Sequence, residues 1–480
     1  MIRVLCLMCC LLVLPAQARE THTQEAREAG AALHAQILRQ LGGEVQNPAL
    51  SAYVRNIGAR LVAVSSMPDA HWRFTVLNSP VINAFALPGG YMYVTRGILA
   101  LANSEAELAA VMGHEIAHIT EDHHAQRAAR NRNANIGVIA GAVLGGLVGG
   151  KDGANEVLQK GSRFAQGYLA GHSREHEFEA DKVSVTLLKE AGYDATALGD
   201  FLDTMADQKR LLAQLVGKEY DPNQVTFFSS HPATARRVAE ALDLAGPPEG
   251  ARFAQRYLAA IDGMIYGDAP REGFVRGANF LHPDLRFAFQ VPSGFLITNS
   301  STRVVAQGPN GAAQVFSVTG GAAQPLDRFI AEVWLPRLSP DVPQTALQNL
   351  QKVRINGLPA AQAVLPFTSD GKPLVSVLTA VAHRDLTYLF QGTAKADDPQ
   401  AIEALIQGAR SFRGLSEAQA AALKPYRVVA YEVQPQDTIN VLSATFPMET
   451  RKRERFLILN NFDDGRSLKA GDTIKLILEQ

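Results

Sequence analysis

The stretch AELAAVMGHEIAHITEDHH, from Ala106 to His124, constrains the fold more than any other part of the chain. Ser104 precedes its apolar run and Glu107 follows three residues later, a pairing that starts a helix by giving free amide groups side-chain acceptors. His114 and His118 then lie in the helix interior, one turn apart on one face, close enough to share a metal ion. Glu115 sits about 100° further round the helix. From there it reaches a water at the metal without being a ligand.

Two histidines are too few, because a catalytic zinc takes three protein ligands and keeps a fourth position for water. His124 has the spacing of the pattern H-E-x-x-H-x-x-G-x-x-H, but that pattern needs a glycine where the helix breaks, and Glu121 stands there. On a continuing helix neither His123 nor His124 faces the metal, and both read as solvated residues at the negative end of the helix dipole. A second segment, SREHEFEAD from Ser173 to Asp181, offers a better third ligand. Ser173 reads as its N-cap and Gly192 as its end. Glu177 and Asp181 are one turn apart, so one carboxylate can bind metal while the other hydrogen-bonds a ligating histidine and fixes its tautomer. Glu175, His176 and Glu179 point elsewhere and read as surface charge.

With 480 residues, 47% of them hydrophobic, and a formal net charge of -1, the chain has material for several domains and no basic excess pointing to nucleic acid. Residues 1–18 read as a signal peptide: Arg3 is the positive start, Val4 to Pro15 the apolar core and Ala16-Gln17-Ala18 the cleavage site. Cys6, Cys9 and Cys10 all fall inside it, so the expected mature chain has neither disulfides nor a thiol nucleophile. An uncleaved anchor is the alternative. Ile136 to Gly150, IGVIAGAVLGGLVGG, is shorter than the roughly 20 residues of a spanning helix. Gly137, Gly141, Gly145 and Gly149 line one helix face, which predicts a tightly packed or flexible helix near the site, with shallow membrane contact as the alternative.

Upstream of the motif, INAFALPGGYMYVTRGIL alternates apolar residues around Pro88-Gly89-Gly90 and predicts a hairpin. Downstream, in FSSHPATARRVAE, Pro232 starts a helix after a loop from Gly217 to Ser230. There is no G-x-S-x-G elbow.

In combination, HEIAH, SREHEFEAD, NAFALPGG and SSHPATARR resemble the exported bacterial M48 zinc metallopeptidases of the BepA type, over residues 25 to 265. The resemblance implies that His114, His118 and Glu177 hold one zinc ion, that Glu115 is general base and acid, and that Asp181 orients a ligand. It implies that Asn83, Ala84 and Phe85 belong to an edge strand of a small sheet beside the cleft, whose exposed edge holds an extended substrate by strand addition. It puts His231 near the metal, either stabilising the transition-state oxyanion or latching the open coordination position, with Arg237 on a carboxylate or the substrate carbonyl. A plain His-Pro turn with a solvated Arg is the alternative. The chain departs from that type in lacking a 34-residue helical repeat after this domain, so partner recognition does not carry over.

From Phe280 onward, short β-rich runs with helical stretches at Leu326 to Leu338 and Pro399 to Ser411 predict an α+β sandwich with an antiparallel sheet. FAFQVPSGF and INGLPAAQAV there resemble PsbP-like domains. Residues 426–478 resemble a degenerate LysM module in strand, helix, helix, strand order, with Gln436 where that family has Gly and a middle lengthened by PMETRKRER. His282-Pro283 reads as structural.

The chain thus reads as α+β multidomain: signal peptide 1–18, a mainly helical zincin-type peptidase domain with a small sheet over 19–265, an α+β domain over 266–415 and a LysM-like α/β module over 424–480. The expected function is a zinc endopeptidase of the periplasm acting on unfolded or misassembled envelope proteins. Peptidoglycan contact through 426–478 and peripheral membrane contact through 136–150 are further expectations, with no nucleic-acid partner. The alternative is a latched or inactive peptidase serving as an envelope chaperone or scaffold.

Overall fold

The computed structural model describes residues 23–87, 89–123, 126, 173–216, 231, 234–300, 303–322, 324–369, 371–463, 465 and 467–480. The expected signal peptide, Pro88, His124, the 136–150 segment, the 217–230 loop and Pro232 lie outside the described residues.

The N-terminal half is helical with one small sheet. Helices α1 (Gln24–Gln40) and α2 (Pro48–Ala63) start on Thr23 and Asn47, whose side chains accept from Ala26 N and Leu50 N. Strands β1 (Arg73–Leu77), β2 (Ala84–Leu87) and β3 (Tyr91–Thr95) follow in the order β1-β3-β2. Because β3 pairs parallel with β1 and antiparallel with β2, the predicted hairpin forms and β2 is left at the edge. Gly89 turns it at φ +78, where any side chain would also meet Arg27 Cα at 2.6 Å.

After α3 (Arg96–Leu101) comes α4 (Glu105–Thr120), which carries the motif. Ser104 caps it as predicted, accepting from Glu107 N. All 16 of its residues are buried, so the interior position that suits its apolar side chains obliges every polar one to find a partner inside the protein. Helix α5 (Arg174–Glu190), capped by Ser173, packs against it. The approach is close because small residues meet: a Cβ on Gly113 would stand 3.0 Å from Ser184 Oγ, and that hydroxyl donates to Ala110 O at 2.8 Å. Ser184 lies on the same side of α5 as Glu177 and Asp181, and so this contact brings both carboxylates to the histidines of α4. Among the described residues, helices α6 (Ala197–Val216), α7 (Ala235–Ala245) and α8 (Ala254–Ile261) complete this half.

The central region is the expected α+β sandwich. A seven-stranded antiparallel sheet drawn from residues 296–395 packs Phe316, Tyr388 and Phe390 against Phe280, Phe287 and Phe289 of a four-stranded antiparallel sheet. Its other face is covered by the helical run Leu326–Arg328, Phe329–Trp334 and Leu335–Leu338, through Ile330 and Trp334. His282 is buried, with Nδ1 accepting from Leu285 N at 3.2 Å, a structural role.

At the C-terminus, strand Tyr426–Glu432, helices Ile439–Ala444 and Lys452–Leu459 and strand Thr473–Glu479 follow the predicted LysM-like order. This module is not a pendant. Its first strand pairs with β4 (Ile265–Tyr266), and Val428, Phe456 and Leu476 enter the same apolar core as Leu108 and Val111 of α4. Lys475 is wholly buried at that junction, donating to the carbonyls of Ala100, Leu101 and Ala102 at 2.8, 3.2 and 2.7 Å. Among the described residues no helix is long and apolar enough to cross a membrane.

Candidate metal centre

Helices α4 and α5 and His231, four residues before the start of α7, bring four buried side chains together: His114, His118, Glu177 and His231 each offer a ligand atom, and these atoms lie within 4.8 Å of one another. His114 Nε2 is 3.0 Å from His118 Nε2 and 3.1 Å from His231 Nδ1. Glu177 is 3.1 Å from His231 Nδ1, 3.5 Å from His114 Nε2 and 3.6 Å from His118 Nε2.

The donor set fits zinc. Tetrahedral bonds of about 2.0–2.1 Å keep ligand atoms roughly 3.3 Å apart. These five separations, from 3.0 to 3.6 Å, bracket that spacing. Proton placement agrees, because His114 Nδ1 is committed to Asp181 Oδ1 at 2.9 Å, which turns the lone pair of Nε2 inward.

Asp181 is itself held. Arg237, on the first turn of α7, donates from Nε and Nη2 to Asp181 Oδ2 and Oδ1 at 2.7 and 2.8 Å, and its Nη1 pairs with Glu177 Oε2 at 2.9 Å. Of the two partners expected for Arg237, it takes carboxylates, and it is buried with them. Burial alone would raise both acids. Arg237 and His114 outweigh it at Asp181, and His231 and His114 outweigh it at Glu177, so both carboxyls stay below their ordinary range. Burial opposes a charge on His114 as well, yet Asp181 and Glu177 lift its pKa to about 9.

Glu115 is different. Burial pushes its carboxyl up, and its Oε1 has no hydrogen-bond partner, standing 3.5 Å from His231 Nε2. An orphaned buried carboxylate oxygen calls for an explanation, and a role in chemistry is one.

The edge strand is placed beside this group but differs from expectation. Asn83 O accepts from Thr95 N, so by antiparallel alternation Ala84 and Ala86 turn their amides and carbonyls to the free edge. Glu115 accepts from the Ala86 amide. Asn83, Ala84 and Phe85 are all buried, 7%, 0% and 7% exposed, so the expectation of an exposed edge is corrected. Among the described residues the edge has no strand partner, and it faces α4 through Glu115.

A second correction concerns His123 and His176, expected on the surface. His123 is 0% exposed and stacks on His176 at 4.2 Å and 5°, and His176 is 5% exposed. A continuing helix would carry His123 away from the metal. Instead α4 stops at Thr120 and Asp122 adopts φ +58, returning the chain toward His118. Asp tolerates that left-handed conformation better than most residues, the one sequence signal that could have flagged the turn. Glu179 is exposed as expected, yet it pairs with His123.

Comparison with known proteins bears on the same segment. Residues 48–245 match Peptidase family M48. The beta-barrel assembly-enhancing protease of Escherichia coli strain K12 is 28% identical over 210 residues, 42% of this chain and 41% of that protein. The mitochondrial metalloendopeptidase OMA1 of Schizosaccharomyces pombe is 32% identical over 186 residues, 39% of this chain and 50% of that protein. The chain thus spans half or less of these relatives. The solution structure of PsbP from Synechocystis sp. PCC 6803 aligns at TM-score 0.25 and 10% identity, covering 31% of this chain and 98% of that one, too low a score to carry an argument. Over residues 48–245, then, the chain is similar to peptidase family M48.

Proposed function

We propose that the protein is a zinc-dependent endopeptidase in which His114, His118 and Glu177 hold the metal and Glu115 is general base and acid. The observation that carries this reading is the convergence of four buried ligand atoms beside a carboxylate oxygen with no hydrogen-bond partner. Zinc, when bound, supplies Lewis acidity that polarises a peptide carbonyl and acidifies water. Glu115 Oε1 takes the proton of the attacking water and delivers it to the leaving amine nitrogen. Asp181 keeps the His114 proton on Nδ1, and Arg237 fixes Asp181 and Glu177 together. An extended substrate would pair with the edge at Ala84 and Ala86 once Glu115 releases the Ala86 amide.

His231 takes the place of a fourth donor, which in a working site belongs to water or substrate. In this reading it is a reversible latch, and the buried edge strand belongs to the same closed state. Substrates are unfolded or misassembled proteins of the cell envelope, and the location is the periplasm. The division at residues 19–265, 266–415 and 424–480 is part of the proposal. So are peptidoglycan contact through 426–478 and membrane contact through 136–150, which sedimentation with sacculi and with vesicles tests.

The latch geometry also favours a second reading, a chaperone or scaffold whose peptidase site stays closed. Cleavage of an unfolded protein such as casein separates the two. The endopeptidase reading expects His231→Ala to cut faster than wild type and a chelator to stop it. If His231→Ala cuts no faster, the latch fails, and if no variant cuts while client binding survives chelation, the scaffold reading stands.

A further inference from the structure

We propose that His123 and Glu179 act as a pair that positions the zinc ligand His118, as Asp181 and Arg237 position His114. The inference rests on the zinc reading above. A ligating imidazole that binds through Nε2 carries its proton on Nδ1 and needs an acceptor there to fix its tautomer and ring orientation. For His114 that acceptor is a carboxylate. For His118 the atom facing Nδ1 is His123 Nδ1, at 2.9 Å. Two nitrogens at that distance share one hydrogen, and since His118 supplies it, His123 Nδ1 is the acceptor and its own proton lies on Nε2. His123 Nε2 stands 3.2 Å from Glu179 Oε2, an acceptor able to receive that proton's hydrogen bond. The directions therefore run one way, from His118 through His123 to Glu179.

The surroundings hold this arrangement in place. The His123 ring is buried and lies flat on His176, and Asp122 at φ +58 supplies the turn that brings it back. Glu177 and Glu179 sit two residues apart on α5, so one helix supplies both a ligand and the far end of the second support. The two supports differ in kind. Asp181 and Arg237 are buried, whereas the Glu179 side chain is 53% exposed and meets solvent.

Zinc affinity of the full mature chain, measured by competition with a chromogenic chelator, tests the pair. His123→Phe keeps a ring on His176 but removes the acceptor, and zinc binding should weaken about 10- to 100-fold. His123→Asn puts an amide oxygen near the position of Nδ1 and should recover most of the loss, which a merely structural ring would not allow. Glu179→Ala, at a half-exposed position that does not threaten the fold, should weaken binding several-fold. Wild-type affinity in folded His123→Phe, equal losses in the Phe and Asn variants, or no change in Glu179→Ala would overturn the proposal. The last of these decides even if the His123 variants fail to fold. A wild-type chain that binds no zinc sinks the peptidase reading as well, whereas a zinc-binding wild type indifferent to His123 and Glu179 sinks this inference alone.

Discussion

The two ends of α4 are equally buried and equally rich in ionisable groups, yet they are built on opposite rules. At the N-terminal end Glu105 accepts from Tyr53 Oη at 2.6 Å, Tyr193 Oη at 2.8 Å and Arg256 Nε at 2.8 Å. Glu107 accepts from Asn103 N at 2.8 Å, with the Lys475 cation acting on it from the C-terminal module. Every acceptor there faces a hydrogen. At the C-terminal end imidazole nitrogens face one another and Glu115 Oε1 makes no hydrogen bond, with His231 Nε2 3.5 Å away. Both ends perturb their titrations: burial pushes Glu107 up and Lys475 down just as it pushes Glu115 up. A shifted pKa therefore does not separate a structural cluster from a reactive one, whereas a mismatch of donors and acceptors does.

Glu115→Gln probes the mismatched end and carries the largest expected effect. It should lower turnover on the order of 10²–10⁴-fold while zinc stays bound. Loss of zinc along with activity would make Glu115 a ligand and blur the contrast.

Lys475→Met probes the satisfied end. It leaves three helix carbonyls and Glu107 without their cation, which should cost about 3–5 kcal/mol in a denaturation curve. The folded fraction should keep its zinc. An unchanged midpoint would mean that the C-terminal module docks loosely and that its buried strand contributes little.

Glu105→Gln should cost less, about 1–3 kcal/mol, and that cost depends on pH. Burial would raise Glu105, but Arg256 and the two tyrosines overcome it and hold the group below its ordinary 4.5. The unfolded chain therefore protonates first. The stability Glu105 supplies is full above pH 4.5 and is lost as the pH falls through its lower folded value. Denaturation midpoints of wild type and Glu105→Gln should converge in acid, and a gap that widens there would reverse the assignment.

The smallest effect is expected from Asp122→Gly, since Gly accepts the left-handed turn without strain. Zinc affinity should hold and stability should move by less than about 1 kcal/mol.

Much of the metal-bearing end was legible because helical periodicity is local. One turn separates His114 from His118 and Glu177 from Asp181, and Ser104 and Ser173 mark both helix starts. What was not legible depends on a single backbone angle or on distant pairing. His123 reads as solvated until Asp122 turns the chain, and the strand at Ala84 reads as open until Glu115 is seen on the Ala86 amide. The order of elements in residues 426–479 was readable, but not their docking. That rests on a two-residue strand, Ile265–Tyr266, and on a lysine whose partners lie across the chain at the C-terminal end of α3. The central sandwich was readable from its alternating strands and two helical stretches, since each sheet pairs mainly between sequence neighbours.

The most direct test of the central claim is zinc content per chain, by elemental analysis after exhaustive dialysis, for wild type, His118→Ala and Lys475→Met. The account predicts about one zinc in wild type and in folded Lys475→Met, and close to none in His118→Ala. Equal zinc in wild type and His118→Ala, or none in wild type, would contradict a metal centre at the C-terminal end of α4.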